Sequence, residues 1–290
     1  MRPNHHQFVA FAYVVREGSF SAAAARLGVT QSTITQHVAK LEQKVGAQLL
    51  IRGRDGVEVT ATGQDFYDLA DRLVALDSTI EERLQGFASM RAGRIKVIAN
   101  APQPALEVIG RFTGRFPELS VDFALHDWTT ANTMIRNRLA DVGIVTDPPR
   151  RDDWNMHKIQ TTGYVAYCPE GWEISTRARL SMRDLLAHTV ILPEEGSLTR
   201  RVVNAKLREL GLSIQREVSM RSFPLMCEAV LQGIGVAIFL RGSSQISKGL
   251  VEVPLEEFET THETWLVVPK DRAKLRLISE FTSTALSVAL

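Results

Sequence analysis

The stretch SFSAAAARLGVTQSTITQHVAKLEQKVG, residues 19–46, indicates two short helices joined by a tight turn. The four alanines at 22–25 form a small-residue surface that another helix can cross closely. Gly28 ends the first helix because glycine takes positive φ freely. Val29 is then expected to be a buried plug, and Thr30 is placed to cap the second helix.

The second helix has one apolar and one polar face. Its apolar positions recur at spacings of four, three and four, typical of a helix packed on one side: Ile34, Val38, Leu41 and Val45. Short or planar polar side chains occupy the other face and can form hydrogen bonds with base edges and phosphates. The DNA-binding candidates here are Thr30, Gln31, Ser32, Thr33, Thr35 and Gln36, with His37 beside them. We predict a helix-turn-helix with a DNA-reading second helix; the alternative is a hairpin with a solvated polar face.

A β-hairpin is predicted directly after this helix pair. The sequence AQLLIRGRDGVEVTATG, residues 47–63, alternates apolar residues around an Arg54-Asp55-Gly56 turn. A hairpin beside a reading helix is a wing. Arg52 and Arg54 on this wing are candidates for phosphate contacts, which give affinity and register without reading sequence.

Residues 5–63 resemble the winged helix-turn-helix of LysR-type transcriptional regulators. The resemblance is carried by the run FVAFAYVVREGSFSAAAARLGVTQSTITQHVAKLE and by Leu49, Arg52, Thr60 and Gly63. Three departures remove no element: Leu50 replaces the usual Phe, Val59-Thr60-Ala61 replaces Leu-Thr-Pro, and Gln36 replaces a frequent Arg. The chain length and the remaining pattern resemble the same family. The resemblance implies double-stranded DNA, a small-molecule effector and a homo-oligomer, dimer or tetramer; RNA polymerase is a further candidate partner.

Basic residues are concentrated in the predicted DNA-binding segment. The 290-residue chain has a net charge of +1. Residues 1–63 carry seven Lys and Arg against four Asp and Glu, whereas the remainder carries 27 against 29. This excess is modest, so polar side chains and helix dipoles must share the phosphate binding.

Composition and motifs favour a cytoplasmic protein without catalytic machinery. Two cysteines, Cys168 and Cys227, are too few for a disulfide scaffold, and their contexts are those of small buried hydrophobes rather than a redox pair. We find neither an apolar run of about 20 residues nor a signal-peptide core. The sequence has no histidine pair at metal spacing and no nucleophile elbow, and Gly233-Ile234-Gly235 lacks the third glycine of a dinucleotide loop. We therefore predict no catalytic residue, metal or cofactor.

A long amphipathic helix is predicted over residues 64–90. Its apolar residues repeat by threes and fours: Phe66, Leu69, Leu73, Leu76, Ile80 and Phe87. This stripe must be buried, either on the body of its own chain or, as the resemblance implies, against the same helix of a second chain. Two paired copies would suit a pseudo-palindromic operator with two half-sites.

The remainder alternates strands and helices, which predicts an α/β body with parallel sheets. Strands are expected at 94–99, 120–125 and 141–145, and helices at 104–116 and 129–139. A second lobe is expected over about 163–267, with lobe 1 formed by about 92–162 and 268–290. The fold class is thus a winged helix-turn-helix (1–63), a linker helix (64–91) and a two-lobe α/β effector-binding body (92–290), which resembles periplasmic solute-binding proteins.

In such a body a ligand binds between the lobes, where strands end and helices begin. The matching loops imply effector contacts from Asn100, Ala101, Pro102 and Gln103 in lobe 1 and from Ser197, Leu198 and Thr199 in lobe 2, with Thr146 and Phe223 on the walls. The alternative for the polar residues is plain helix capping. Two helix N-termini facing one cleft would favour a small anion.

Together these features predict a ligand-responsive transcription regulator. The alternative function is a solute-binding or enzymatic two-lobe protein that carries a non-specific helical head.

Overall fold

The N-terminal head is a three-helix unit with a two-stranded wing. The protein was analysed as a computed structural model that describes residues 3–53, 56–84, 93–243 and 249–288, with residues 82–84 described by their backbone alone. The head consists of α1 (His5–Glu17), α2 (Phe20–Leu27), α3 (Gln31–Val45), β1 (Leu50–Gly53) and β2 (Gly56–Val59). The two strands pair antiparallel as predicted, and Arg54 and Asp55 at their turn lie outside the described residues.

The turn between α2 and α3 is closed by backbone bonds rather than by a buried side chain. Gly28 has φ +66°, and the amide of Val29 donates to the carbonyl of Ala24 over 3.1 Å. This pair of features is a Schellman ending. The side chain of Val29 is 43% exposed, so the predicted plug is wrong. Thr30 caps α3 as predicted, by accepting from the amide of Thr33.

The linker helix, α4 (Ala61–Leu84), begins three residues before the predicted start. Thr60 explains the earlier start, because its hydroxyl accepts from the amide of Gly63 over 2.9 Å in the first turn. The buried face of α4 is formed by Tyr67, Ala70, Asp71, Val74 and Ala75. The rest of the predicted helix, including Phe87, lies outside the described residues.

Lobe 1 is a five-stranded sheet with strand order β4-β3-β5-β12-β6. Its strands are β3 (Arg94–Ala99), β4 (Ser120–Leu125), β5 (Val142–Thr146), β6 (Trp154–Thr162) and β12 (His262–Pro269). Its helices are α5 (Ala105–Arg115), α6 (Trp128–Arg136) and α10 (Arg276–Val288). α5 and α10 pack together through the rings of Phe112 and Phe281, whose centroids lie 5.1 Å apart.

Lobe 2 is a second five-stranded sheet with strand order β11-β7-β10-β8-β9. Its strands are β7 (Tyr164–Pro169), β8 (Val190–Pro193), β9 (Glu217–Met220), β10 (Val236–Leu240) and β11 (Leu250–Pro254). Its helices are α7 (Met182–Leu186), α8 (Leu198–Leu210) and α9 (Phe223–Leu231), with a short 3₁₀ turn at Glu173–Thr176.

Both sheets are mixed. β3 pairs parallel with β4 and β5 as predicted, but the prediction of wholly parallel sheets is wrong. β12 runs antiparallel to β5 and β6, and β7 runs antiparallel to β10 and β11. The reason is that the chain leaves lobe 1 through β6 and returns through β12, so the crossing strands pair in opposite directions. β12 is paired with β6 from His262 to Pro269, and lobe 1 therefore resumes at His262 rather than at residue 268.

Candidate functional site

The polar face of α3 is available to a ligand. Gln31, Ser32 and Gln36 are exposed, and Thr33 and Thr35 are half-buried. On the opposite face, Ile34, Val38 and Leu41 are buried in the head core with α1. The Thr30 hydroxyl lies 2.8 Å from those of both Ser32 and Thr33. The first turn of α3 therefore presents an ordered set of hydroxyl and amide groups.

One wing arginine is held beside this face. The guanidinium of Arg52 lies over the ring of Phe20, 4.2 Å from its centroid, and the side chain is exposed. Phe20 opens α2, so this cation–π contact ties the wing to the helix-turn-helix. Arg52 can thus reach a phosphate next to the groove that α3 would enter. Arg54, the second predicted phosphate ligand, lies outside the described residues.

A cavity of about 380 Å³ lies between the lobes, where several predicted effector residues meet. The predicted residues that line it are Asn100, Ala101, Pro102, Ser197, Leu198, Thr199 and Phe223. It is also lined by residues that the sequence analysis missed: His126, Asp127, Trp128, Tyr164, Arg221, Ser222, Phe239 and Ser243. Aromatic side chains from both lobes thus form walls around a group of hydroxyls.

Two predicted residues do not line this cavity. Thr146 is fully buried behind it, with its hydroxyl 3.0 Å from that of Thr264. Its amide donates to the side-chain oxygen of Asn100 over 2.9 Å. Thr146 therefore orients Asn100 rather than facing a ligand. Gln103 lies in the turn before α5 and is likewise not part of the lining.

Helix N-termini open onto the cavity without being capped by their own side chains. Ser197 and Ser222 are the N-cap residues of α8 and α9, and neither side chain makes a capping hydrogen bond. The capping alternative is therefore wrong for Ser197. Thr199, two residues further on, donates to the hydroxyl of Tyr164 over 3.4 Å.

The carboxylates at the cavity have partners. Asp127 caps α6 by accepting from the amides of Thr129 and Thr130, and it also accepts from the Thr130 hydroxyl. Desolvation raises the pKa of Asp127, but the Thr130 and Thr129 hydrogen bonds outweigh it and hold the pKa below its usual range. Glu194 lies 3.3 Å from the guanidinium of Arg221.

Direct contacts join the lobes at the mouth of the cavity. The guanidinium of Arg201, on α8, lies 4.0 Å from the ring centroid of Trp128, on α6. The Thr129 hydroxyl donates to the carbonyl of Gly196 over 3.3 Å. These contacts show the body in a closed arrangement.

A buried ion-pair cluster connects the head, the linker helix and lobe 1. Asp71 on α4 is fully buried and accepts from Arg16 of α1 over 2.6 Å and from Arg272 of lobe 1 over 2.6 Å to each oxygen. Arg138 lies 3.7 Å from Asp71 and 2.6 Å from Asp271. Burial raises the pKa of Asp71, but the ion pairs with Arg272 and Arg16 outweigh it and hold the pKa below its usual range. We name this set the junction cluster.

The described residues offer neither a metal site nor a membrane-spanning helix. No group of three or more His, Cys, Asp and Glu side chains within these ranges could hold a metal ion. Over the same part of the chain, every helix is too short or too polar to cross a bilayer. Cys168 and Cys227 are both buried, and burial raises the pKa of Cys168 to about 12.

Comparisons with known proteins agree with this architecture. Residues 5–64 match the bacterial regulatory helix-turn-helix protein family, lysR type, and residues 89–289 match the LysR substrate binding domain. Among curated relatives, the HTH-type transcriptional activator CmpR of Synechocystis sp. is 23% identical over 280 residues, which cover 95% of this chain and 92% of CmpR.

Solved structures show the same fold along the chain. Full-length OxyR from Pseudomonas aeruginosa superposes with a TM-score of 0.79 at 17% identity, covering 98% of this chain and 95% of OxyR. Full-length CbnR in complex with its target DNA gives a TM-score of 0.55 at 18% identity and covers 99% and 100%. The regulatory domain of Synechocystis CcmR, solved with 2-PG, gives a TM-score of 0.59 at 16% identity, and the match covers 68% of this chain and 97% of that domain.

The family assignment decides between the two functions that the sequence left open, since the head and the body both match domains of one regulator family. The chain belongs to the LysR family of DNA-binding transcriptional regulators and is not an enzyme.

Proposed function

We propose that this regulator acts in the cytoplasm and changes its operator binding when a small anion occupies the cavity between its lobes. The observation that carries this proposal is the pair of helix N-termini, at Ser197 and Ser222, that face one cavity without side-chain caps. The first amides of a helix are donors without intrahelical partners, although Pro224 at the second position of α9 has no N–H. The helix dipole adds positive potential at both N-termini. An anion is the ligand that both features favour.

The acidic side chains at the cavity are already paired, which also favours a negatively charged ligand. Asp127 is engaged by the N-terminus of α6, and Glu194 is paired with Arg221. The aromatic walls, which include Trp128 and Phe223, suit an apolar part of the ligand. We therefore expect a carboxylate, phosphonate or similar metabolite. The solved complex of CcmR with 2-PG shows that a small molecule is bound by a protein of this fold.

The effector can act on DNA only if it binds two body arrangements with different affinity. The closed lobes described above provide one such arrangement. Opening or closing them would shift lobe 1, and the junction cluster would pass that movement to α4 and to the head. The spacing or bend imposed on the operator would then change. RNA polymerase is the further partner expected of such a regulator when it activates.

We infer that the protein works as an oligomer joined through α4. Leu69, Leu76 and Ile80 of the predicted stripe are 61%, 57% and 47% exposed in the single chain. Burying such a side chain contributes about 1.5 to 3 kcal/mol to the free energy of association, so pairing with α4 of a second copy is favourable. By resemblance to the family, body-to-body contacts would then complete a tetramer.

The test of the effector site is a thermal-shift screen of small metabolic acids, followed by titration of Ser197→Ala and Asn100→Ala. Loss of a hydrogen bond to a charged ligand is worth about 1.5 to 3 kcal/mol, so the affinity of Ser197→Ala should fall about tenfold or more. Its melting temperature without ligand should stay unchanged, because the hydroxyl makes no capping bond.

Ser181→Ala is the matched control. The Ser181 hydroxyl caps α7 and accepts from the amide of Asp184 over 3.3 Å, away from the cavity. Its loss should therefore lower the melting temperature and leave effector affinity intact. The cavity would be the wrong site if only cations or apolar molecules bound, or if both Ser197→Ala and Asn100→Ala kept full affinity.

A further inference from the structure

A second cavity, of about 540 Å³, lies between the linker helix and lobe 1. Gln64, Asp68 and Arg72 line it from α4. Arg136, Asn137, Arg138, Arg151 and Asp153 line it from lobe 1. It shares no lining residue with the cavity between the lobes, and every one of its lining side chains is polar.

Positive charge is in excess in this second cavity. Four arginines and two aspartates line it, and Asp271, which pairs with Arg138, reduces the formal charge to +1. Two of the arginines are matched by close carboxylates: Arg151 lies 2.9 Å from Asp153, and Arg138 lies 2.6 Å from Asp271.

The other two arginines have weaker partners among the described residues. Arg72 comes no closer than 3.9 Å to the carboxylate of Asp271, and Arg136 has its hydrogen bond from Nε to the amide oxygen of Asn137, over 3.5 Å. Arg72 belongs to the linker helix and Arg136 to the end of α6. Two guanidinium groups with donors to spare thus line one cavity, one from the linker helix and one from lobe 1.

We propose that this cavity is a second ligand site, for a compact polyanion such as a phosphate ester or diphosphate. The planar guanidinium group donates two parallel hydrogen bonds to phosphate or carboxylate oxygens, so arginines on both walls can hold one multivalent anion. A multivalent anion would neutralise the excess and could accept hydrogen bonds from both arginines. Bound there, it would tie α4 to lobe 1 beside the junction cluster. This site goes beyond the proposed effector cavity and does not depend on it.

The test is calorimetric titration of the full-length protein with inorganic pyrophosphate, in metal-free buffer at constant ionic strength. We expect saturable binding, and a dissociation constant that rises about tenfold or more in Arg72→Gln and in Arg136→Gln. Arg94→Gln is the matched control: Arg94 is 57% exposed, against 58% for Arg72, and lies on β3 away from the cavity. It should bind pyrophosphate as the wild type does.

Three results would overturn the assignment. The first is no saturable binding of pyrophosphate. The second is an equal loss in Arg94→Gln, which would indicate a general charge effect. The third is a loss in Ser197→Ala with none in Arg72→Gln, which would place the pyrophosphate between the lobes. Arg72→Lys distinguishes a loss of ligand contacts from misfolding. Lysine keeps the positive charge but lacks the planar guanidinium group, so this variant should bind pyrophosphate with intermediate affinity.

Discussion

At the scale of single residues, the approach of the two lobes depends on the absence of a side chain at position 196. A Cβ atom added to Gly196 would lie 2.5 Å from Oδ1 of Asp127 on the opposite lobe. Asp127 cannot give way freely, because it is bonded to two amides and a hydroxyl at the start of α6. Glycine at 196 therefore permits the closed body.

We predict that Gly196→Ala weakens effector binding by about 1 to 3 kcal/mol, the usual range for overpacking. The lobes would have to separate to admit the methyl group, and the closed state would be less populated. The measurement is titration with an acid identified in the thermal-shift screen. Gly114→Ala is the control, since a Cβ at 114 meets nothing within 4 Å. Wild-type affinity in Gly196→Ala would contradict this role.

Sequence reasoning found site residues where a local rule exists and missed them where only the tertiary fold decides. Thr30 was recognised because capping has a short-range signature. Asp127 carries a similar signature, an Asp before two threonines, and could have been found. Thr146 was predicted to line the site because it ends a strand. Its position at a strand end does not reveal that its side chain is buried behind the cavity wall.

At the scale of elements, α4 carries two apolar faces with different uses. Tyr67, Ala70 and Val74 are buried within the chain, and the stripe that contains Leu69, Leu76 and Ile80 is exposed. Leu73 lies between the faces and is half-buried. The seam predicted from the sequence is therefore mostly uncovered in one chain, which is the condition for pairing with a second.

We predict that Leu76→Glu reduces the oligomer to smaller species and weakens operator binding, since the half-sites would no longer be read by one assembly. Light scattering and operator titration measure the two effects. Leu210→Glu is the control, an exposed leucine at the end of α8 in lobe 2. A wild type that stays monomeric at micromolar concentration would disprove pairing through α4.

Elements with a clear local pattern were predictable, including the short strands β3 and β4, whereas β6 was not. The apolar face of α3 and its glycine ending at Gly46 follow directly from spacing and composition. β6 was missed because polar and charged residues such as His157 and Lys158 follow one another in it and interrupt the apolar alternation. The antiparallel pairing of β12 depends on where the chain crosses between lobes, which no local pattern records.

At the scale of the whole molecule, the junction cluster fixes the head to the body. Its arginines come from positions 16, 138 and 272, and they converge on Asp71. Arg272 is almost completely buried and also donates to Asp141 over 2.6 Å. Charged residues so far apart in sequence give no signal of convergence, so this link could not be predicted.

We predict that Asp71→Asn lowers the free energy of unfolding by about 3 to 5 kcal/mol, because it leaves buried arginines without their counter-charge. The pH dependence has a definite sign. The folded pKa of Asp71 is lowered, so its stabilisation is present above its unfolded pKa, about 3.9, and is lost as the pH falls through the folded value. The variant should lose less stability than the wild type on acidification below about pH 4.

Urea unfolding at neutral and acidic pH measures both effects. Asp77→Asn is the control on the same helix, because Asp77 is 42% exposed and pairs with His5. If Asp71→Asn were no less stable than Asp77→Asn, the junction cluster would not hold the head to the body.

The most direct test of the account is the affinity of α3 for operator DNA, measured by fluorescence anisotropy with the region upstream of the protein's own gene and with a scrambled duplex. The wild type should prefer the operator about 10³-fold or more. Gln31→Ala/Thr33→Ala should stay folded and lose about 1 to 3 kcal/mol for each base contact removed, whereas Arg52→Ala should weaken both duplexes alike and flatten the salt dependence. Unchanged operator preference in the folded double variant would contradict the assignment of α3 as the reading helix.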